Sequence, residues 1–331
     1  MQRKLVVSSS PHLRNEGVST RKLMTDVVIA LLPAALASVW FFGGAALSLI
    51  IIAVTSAVIS ELLYQKFTGQ PVTISDMSAV VTGLLLAFNL PSTAPWWIAM
   101  IGSMIAIVLV KQIFGGVGHN FVNPALAART ILMLSWTSLM VAKVMPHAGQ
   151  WVAPQIADAV ASATPLGTQA ASYSLWQLFI GDVPGMIGET SKLALLIGGL
   201  YLLIRRVIDW RIPLTFLATA FILFWISTGT LYSVESGASN ALYQMLSGGL
   251  IIGALFMATD YVTSPVTHSG RIIMGIGCAL VLFVIRQFNP AYPEGCSFAI
   301  LFMNVLTPLI DKITTPKPFG TFKAAKATKE V

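Results

Sequence analysis

Long unbroken apolar runs alternate with short polar connections along the chain, from residue 23 to residue 312. Each run is close to the ~20 residues that a helix needs to cross ~30 Å of hydrocarbon, whereas a membrane β-barrel would show short stretches of alternating polarity. A segment in lipid has to satisfy its backbone groups internally, so the runs read as helices. The spacing predicts spans at 23–42, 45–64, 74–90, 95–113, 122–142, 190–207, 211–229, 241–259, 271–288 and 295–312, about ten in all. The expected fold class is an all-α integral membrane protein.

The longest interruption, 143–189, divides these spans into two equal sets. The expected organisation is an N-terminal membrane half over 1–142, a loop over 143–189, a C-terminal membrane half over 190–312 and a basic tail over 313–331. An odd number of helices in each half gives the halves opposite orientation, which is how two inverted five-helix repeats arise. The third run of each half looks unusual: 74–90 is short and ends at Asn89-Leu90-Pro91, and 241–259 is interrupted by Gly248-Gly249 and Gly253. Such interruptions at corresponding places point to a midplane site built from helix ends, and close packing through small residues explains them equally well.

Composition and charge set the orientation. With 56% hydrophobic residues, 10% charged residues and a mean hydropathy of +0.79, the chain is too apolar for an ordinary soluble domain, and the bilayer is its expected solvent. The net charge of +7 is scattered between apolar runs, not gathered into a stripe with aromatic residues, so no nucleic-acid partner is expected. Among the Lys and Arg residues, Lys143, Lys192 and Arg286 fall on the side away from the termini and Arg129 falls inside a span; the remainder lie on the terminal side. By the positive-inside rule both termini are cytoplasmic, and the loop 143–189 is extracytoplasmic. The first run follows Arg21 and Lys22 without a small-residue cleavage site, which reads as a retained anchor. Cys278 and Cys296 lack the paired spacing of a zinc or iron–sulfur site, so no metal ligands are assigned.

Three places hold candidate chemistry. The outer loop contains Asp158-Ala159-Val160-Ala161-Ser162-Ala163-Thr164-Pro165-Leu166, small residues with a hydroxyl just before a proline. By physics alone this is a turn in which Ser162 or Thr164 bonds the backbone. On the cytoplasmic side, Gly115-Gly116-Val117-Gly118-His119-Asn120 precedes a helix start at Asn123-Pro124. Backbone donors there could hold an anion or a polar ring edge, with a re-entrant packing turn as the bland alternative. Asp26, Glu61, Asp76, Arg129 and Asp260 stand near span ends, where charge is costly and tends to line polar pathways or to pair. Asp260 and Asp76 are the ion-path candidates, and interfacial snorkelling or helix capping is the expectation for Asp26 and Glu61.

Several separate stretches carry a family resemblance: Ser75 through Ala87, Gly115 through Ala125, Ala163-Thr164-Pro165-Leu166, Thr259-Asp260, and Tyr292-Pro293-Glu294-Gly295 running on to Asp311. In that order they resemble the RnfD/NqrB family: the RnfD component of the Rnf ion-translocating ferredoxin:NAD oxidoreductase complex and, more distantly, the NqrB component of the sodium-pumping NADH:quinone oxidoreductase. The resemblance implies that Thr164 carries FMN through a phosphoester bond. It further implies that Asp158, Ser162, Pro165 and Leu166 belong to the attachment element read by a separate flavin transferase, and that riboflavin binds near Gly116, Gly118, Asn120 and Asn123. Ala161 stands where the family usually has Ser or Thr, and Ser162 where Gly is common. Phosphate linkage leaves the isoalloxazine ring free for one- and two-electron chemistry. The chain has no dinucleotide fingerprint and no iron–sulfur cysteine set, so it cannot hold a whole electron path and no catalytic residue is assigned to it.

Two functions follow. One is a membrane flavoprotein subunit in a bacterial inner (cell) membrane, passing electrons between ferredoxin and NAD with coupled Na⁺ or H⁺ translocation, beside Rnf subunits A, B, C, E and G. The alternative is a small-solute channel or secondary transporter, which the composition and an inverted repeat fit as well.

Overall fold

The structure is a computed structural model that describes residues 6–7, 13–14, 19–142, 144–151, 165–166, 173–231, 240–289 and 294–316. Two short strands, Val6–Val7 and Leu13–Arg14, pair antiparallel ahead of an all-helical body. The helices are α1 Thr20–Phe67, α2 Ser78–Phe88, α3 Trp96–Met104, α4 Pro124–Ser135, α5 Thr137–Val141, α6 Leu175–Ile180, α7 Lys192–Ile204, α8 Arg211–Thr228, α9 Ala241–Leu246, α10 Leu250–Ile252, α11 His268–Phe288 and α12 Cys296–Thr314. Wider π-type turns continue α3 over Ile105–Gln112 and α10 over Gly253–Met257.

Four helices among the described residues, α1, α8, α11 and α12, are long and apolar enough to cross a membrane. The surface agrees with that solvent: Leu36 is 71% exposed, Ile226 74% and Phe288 75%, while Glu61, Lys111 and Arg129 are buried. An exterior of this kind is stable in lipid and not in water.

α1 is two helices. Gly43 interrupts it with φ 61° and ψ −144°, a backbone that L side chains rarely adopt. A straight helix would hold Met24 and Glu61 roughly 55 Å apart. Instead, Met24 lines the same cavity as Lys111, and Lys111 is paired with Glu61. The chain therefore doubles back at Gly43, as the break between the expected spans 23–42 and 45–64 requires. The turn is clasped by the outer loop: Gly44 N–H donates to the Trp151 carbonyl at 3.1 Å, and His147 N–H to the Phe41 carbonyl at 2.9 Å. A Cβ at Gly43 would collide with the Gln150 carbonyl oxygen.

Both unusual third runs prove discontinuous. α2 has 11 residues and starts from Met77, a non-glycine residue at φ 66°. The run 241–259 breaks between α9 and α10, where Gly248 sits at φ 64°. The missing length above α2 is filled by a segment that sequence periodicity left in the loop. Val183–Thr190, non-helical and buried, dips in beside the end of α2. Ile187 N–H donates to the Leu90 carbonyl and Gly188 N–H to the Phe88 carbonyl, each at 3.0 Å, and Ser38 Oγ donates to the Ile187 carbonyl at 2.9 Å. Backbone without helix is tolerated at this depth because protein surrounds it and satisfies it.

Candidate functional site

Two pockets stand at opposite ends of the helical body. The inner one encloses about 790 Å³ of empty space, counting its mouth. Its walls come from three of the sequence stretches singled out above: Ser78, Val81, Thr82 and Leu85 from the first, Val117, Asn120, Asn123 and Pro124 from the second, and Thr259 and Asp260 from the third. Met24, Leu202 and Phe256 add apolar wall. Mixed apolar lining with a few convergent polar groups is the usual character of a small-molecule site.

Local structure explains these polar side chains. Gly115, Gly116 and Gly118 all have positive φ, at 113°, 89° and 95°, so the glycines are required by a left-handed turn that carries the chain from α3 to α4. Asn123 caps α4, its Oδ1 accepting from Ala125 N at 3.1 Å and Leu126 N at 3.2 Å, while its Nδ2 donates to the Met257 carbonyl at 3.2 Å. The backbone donors expected to face a ligand are thus committed to the cap, and recognition in this cavity falls to side chains. Gly116 and Gly118 shape the turn without lining the cavity.

Asp260 follows the π-type turn beyond Met257. It accepts from Thr263 Oγ1 at 3.2 Å and also from Asn120, and burial pushes its carboxyl above the ordinary range, offset only in part by these bonds and by backbone donors from Val262 and Tyr261. Asp76 is not in the wall. It holds Ser78 through the backbone N–H at 2.8 Å and the hydroxyl at 2.6 Å, and Ser78 Oγ in turn receives Lys111 Nζ at 2.7 Å.

Lys111 was not among the expected site residues, and Glu61 corrects its own expectation. Glu61 does not snorkel: its side chain is fully buried and paired with Lys111 at 3.0 Å, with Gln112 Nε2 donating at 2.7 Å. A carboxylate and an ammonium at one depth on neighbouring helices, each next to a glutamine, were the signal available. Asp26 likewise is buried and bonded, to Tyr201 Oη at 2.9 Å and Arg205 at 3.3 Å. Arg129, as expected of an intramembrane cation, is paired, with Glu294 and with Ser297 Oγ at 2.6 Å. Cys278 and Cys296 are free and buried, and among the described residues no cluster could hold a metal ion.

The outer pocket, with about 310 Å³ of empty space, is bounded by Pro165 and Leu166 together with Leu178, Val183, Glu189, Thr190, Lys192, Gly248 and Glu294. Thr164, Ser162 and Asp158 lie outside the described residues. The two residues that follow Thr164 are thus seated on a pocket, where sequence reading had only a loop.

A helical body with an apolar exterior, buried ion pairs and a polar cavity at each end is that of a polytopic membrane protein. Its sequence matches the NQR2, RnfD, RnfE family over residues 6–320, and the chain belongs to that family. It is 47% identical over 332 residues, 98% of each chain, to the D subunit of the Na(+)-translocating ferredoxin:NAD(+) oxidoreductase complex of Acetobacterium woodii. It is 42% identical to the D subunit of the proton-translocating ferredoxin:NAD(+) oxidoreductase complex of Clostridium ljungdahlii, over 95% of this chain and 96% of that one. It is 38% identical to the D subunit of the ion-translocating oxidoreductase complex of Stutzerimonas stutzeri, over 95% and 97%.

Proposed function

We propose that the chain is the membrane flavoprotein subunit of an Rnf-type electron-transport complex, carrying electrons between ferredoxin and NAD through FMN esterified to Thr164, with coupled Na⁺ or H⁺ translocation. The observation that carries this reading is the family match along nearly the whole chain, with relatives named as subunits of ion-translocating oxidoreductase complexes. The relatives' names differ in the ion, sodium in one and protons in another, so both belong to the proposal.

The described residues fit a flavin on the outer side. Pro165 and Leu166 rest on a pocket with apolar walls, and the hydroxyl of Thr190 in its lining is buried without a partner. When bound, the flavin supplies one- and two-electron transfer; the chain positions it and sets the charge around it. In the inner cavity, the amide of Asn120 and the carboxyl of Asp260 suit the polar edge of a second isoalloxazine ring, and riboflavin is the proposed occupant. Asp260 and Asp76 are the proposed inner acids of the ion path.

The same reading makes the chain a ten-span protein of two inverted halves in a bacterial cell membrane, with cytoplasmic termini. Rnf subunits A, B, C, E and G are its partners, and a flavin transferase matures it. The test is the full chain expressed with its transferase and run on a denaturing gel. Flavin fluorescence in the band, lost in Thr164→Val, and an added FMN mass on the peptide containing Thr164 are the expected results. A dark wild-type band would sink the flavin reading and favour a transporter.

A further inference from the structure

The outer pocket has a composition that packing alone does not explain. Glu189, Thr190 and Lys192 are 3%, 1% and 1% exposed and line it beside Leu178, Leu246 and Pro184. Thr190 Oγ1 has no hydrogen-bond partner, a defect that costs about 1–3 kcal/mol and asks for an explanation. Lys192 opens α7 and donates to the Glu189 carbonyl, Glu189 Oε1 accepts from Met186 N at 3.1 Å, and Glu294 is ion-paired with Arg129. Arg286 reaches the same place: a Cβ added at Gly248 would lie 3.0 Å from Leu166 Cδ1 and 3.4 Å from the Arg286 guanidinium. Three cations against two carboxylates leave the pocket and its surroundings with a surplus positive charge.

We propose that this pocket is the seat of the isoalloxazine ring, with Leu178, Leu246 and Pro184 against the ring face and Thr190 and Lys192 toward its polar edge. The proposal rests on the reading that Thr164 carries FMN. Connectivity brings the two together: an extended residue spans at most ~3.6 Å, so the Cα of Thr164 lies within about 7 Å of that of Leu166. The ribityl chain between phosphate and ring lets the ring fold back under the segment that bears it. A ring seated there meets an orphaned hydroxyl and a buried ammonium. The ammonium favours the ring when it carries more negative charge, which is the reduced form wherever electron uptake exceeds proton uptake. Lys192 is thus a residue that raises the flavin potential, and Thr190 one that orients the ring.

The experiment uses the full chain purified with its flavin attached. Iodide quenching of flavin fluorescence in the wild type is expected to be several-fold weaker than for free FMN, and a ring as accessible as free FMN would overturn the seat. Thr190→Val, close in size to the native residue, should increase quenching at unchanged flavin content. Lys192→Met should weaken the preference for the reduced ring about tenfold, which lowers a two-electron midpoint potential by about 30 mV, and Lys192→Arg should restore it. Wild-type potential and quenching in both Lys192→Met and Thr190→Val would overturn the seat while the fluorescent band leaves the flavin reading standing. A wild type without flavin would fail the reading itself, and the seat with it.

Discussion

Removing Lys111 exposes how much the inner half depends on one buried charge pair. Its Nζ lies 3.0 and 3.1 Å from the two oxygens of Glu61 and 2.7 Å from Ser78 Oγ. The side chains of Lys111 and Glu61 are 4% and 0% exposed, so water cannot replace either partner. Lys111→Met would leave the Glu61 carboxylate with only amide donors, Gln112 at 2.7 Å and Gln65 at 3.3 Å. Breaking such a pair on one side costs ~3–5 kcal/mol, because the surviving charge is stranded. Glu61→Gln leaves Lys111 with Ser78 and one amide oxygen, and a loss of about 1–3 kcal/mol is expected. The double variant Glu61→Gln/Lys111→Met removes both charges and should return to within about 1–2 kcal/mol of wild type, since a buried pair and its uncharged replacement are often nearly equal in stability. Denaturant titration of the four proteins in mixed micelles gives the cycle directly. A Lys111→Met chain within about 1 kcal/mol of wild type, or a double variant as unstable as Lys111→Met, would refute the reasoning.

Gly43→Ala should cost about 1–3 kcal/mol in the same assay, because it adds a Cβ at φ 61° against the Gln150 carbonyl; Gly69→Ala, at φ 67° in open space, should cost only about 1 kcal/mol. Asp209 sits in the turn between α7 and α8. Burial raises its pKa, but the Arg211 backbone N–H and the guanidinium groups of Arg271 and Arg211 outweigh burial and hold it below the ordinary value of 3.8. A depressed folded pKa stabilises the fold above the unfolded value and loses that contribution as pH falls through the folded one. Asp209→Asn should therefore cost about 1 kcal/mol at neutral pH, with the gap to wild type closing below about pH 4. Protease added on the extracytoplasmic side should cut within 143–189 and leave the tail after 312 intact, and tail cleavage from that side would overturn the proposed orientation.

The helix positions were legible because hydrocarbon imposes length and apolarity on anything that crosses it. Runs expected at 211–229, 271–288 and 295–312 appear as Arg211–Thr228, His268–Phe288 and Cys296–Thr314. The two irregular runs were legible for a second reason, since Asn-Leu-Pro and Gly-Gly end or break helices whatever surrounds them. Val183–Thr190 was not legible. Its prolyl and glycyl pattern is that of any surface loop, and what buries it is the shortness of α2, a helix far away in sequence. The Glu61–Lys111 pair was hidden in the same way, because its partners are 50 residues apart and linear spacing carries no sign of contact between helices. Periodicity reports what a segment needs from its solvent; it does not report which other segment supplies it.

The same distinction explains how the two pockets relate. Each is built where a helix is interrupted: the inner one holds the start of α2 at Ser78 and the residues after the π-type turn at Met257, and the outer one holds the α9–α10 break at Gly248. α7 touches both, with Lys192 in the outer lining and Leu202 in the inner, and as a continuous helix it fixes them about 15 Å apart. An interruption frees backbone and side-chain polar groups that an unbroken helix would keep to itself, and in a membrane those groups persist only where protein or ligand satisfies them. Asn123, Lys111 and Arg286 are satisfied by protein, whether through carbonyls at helix ends or a buried carboxylate. Thr190 is not, which makes the outer interruption the one whose structure is incomplete without a ligand.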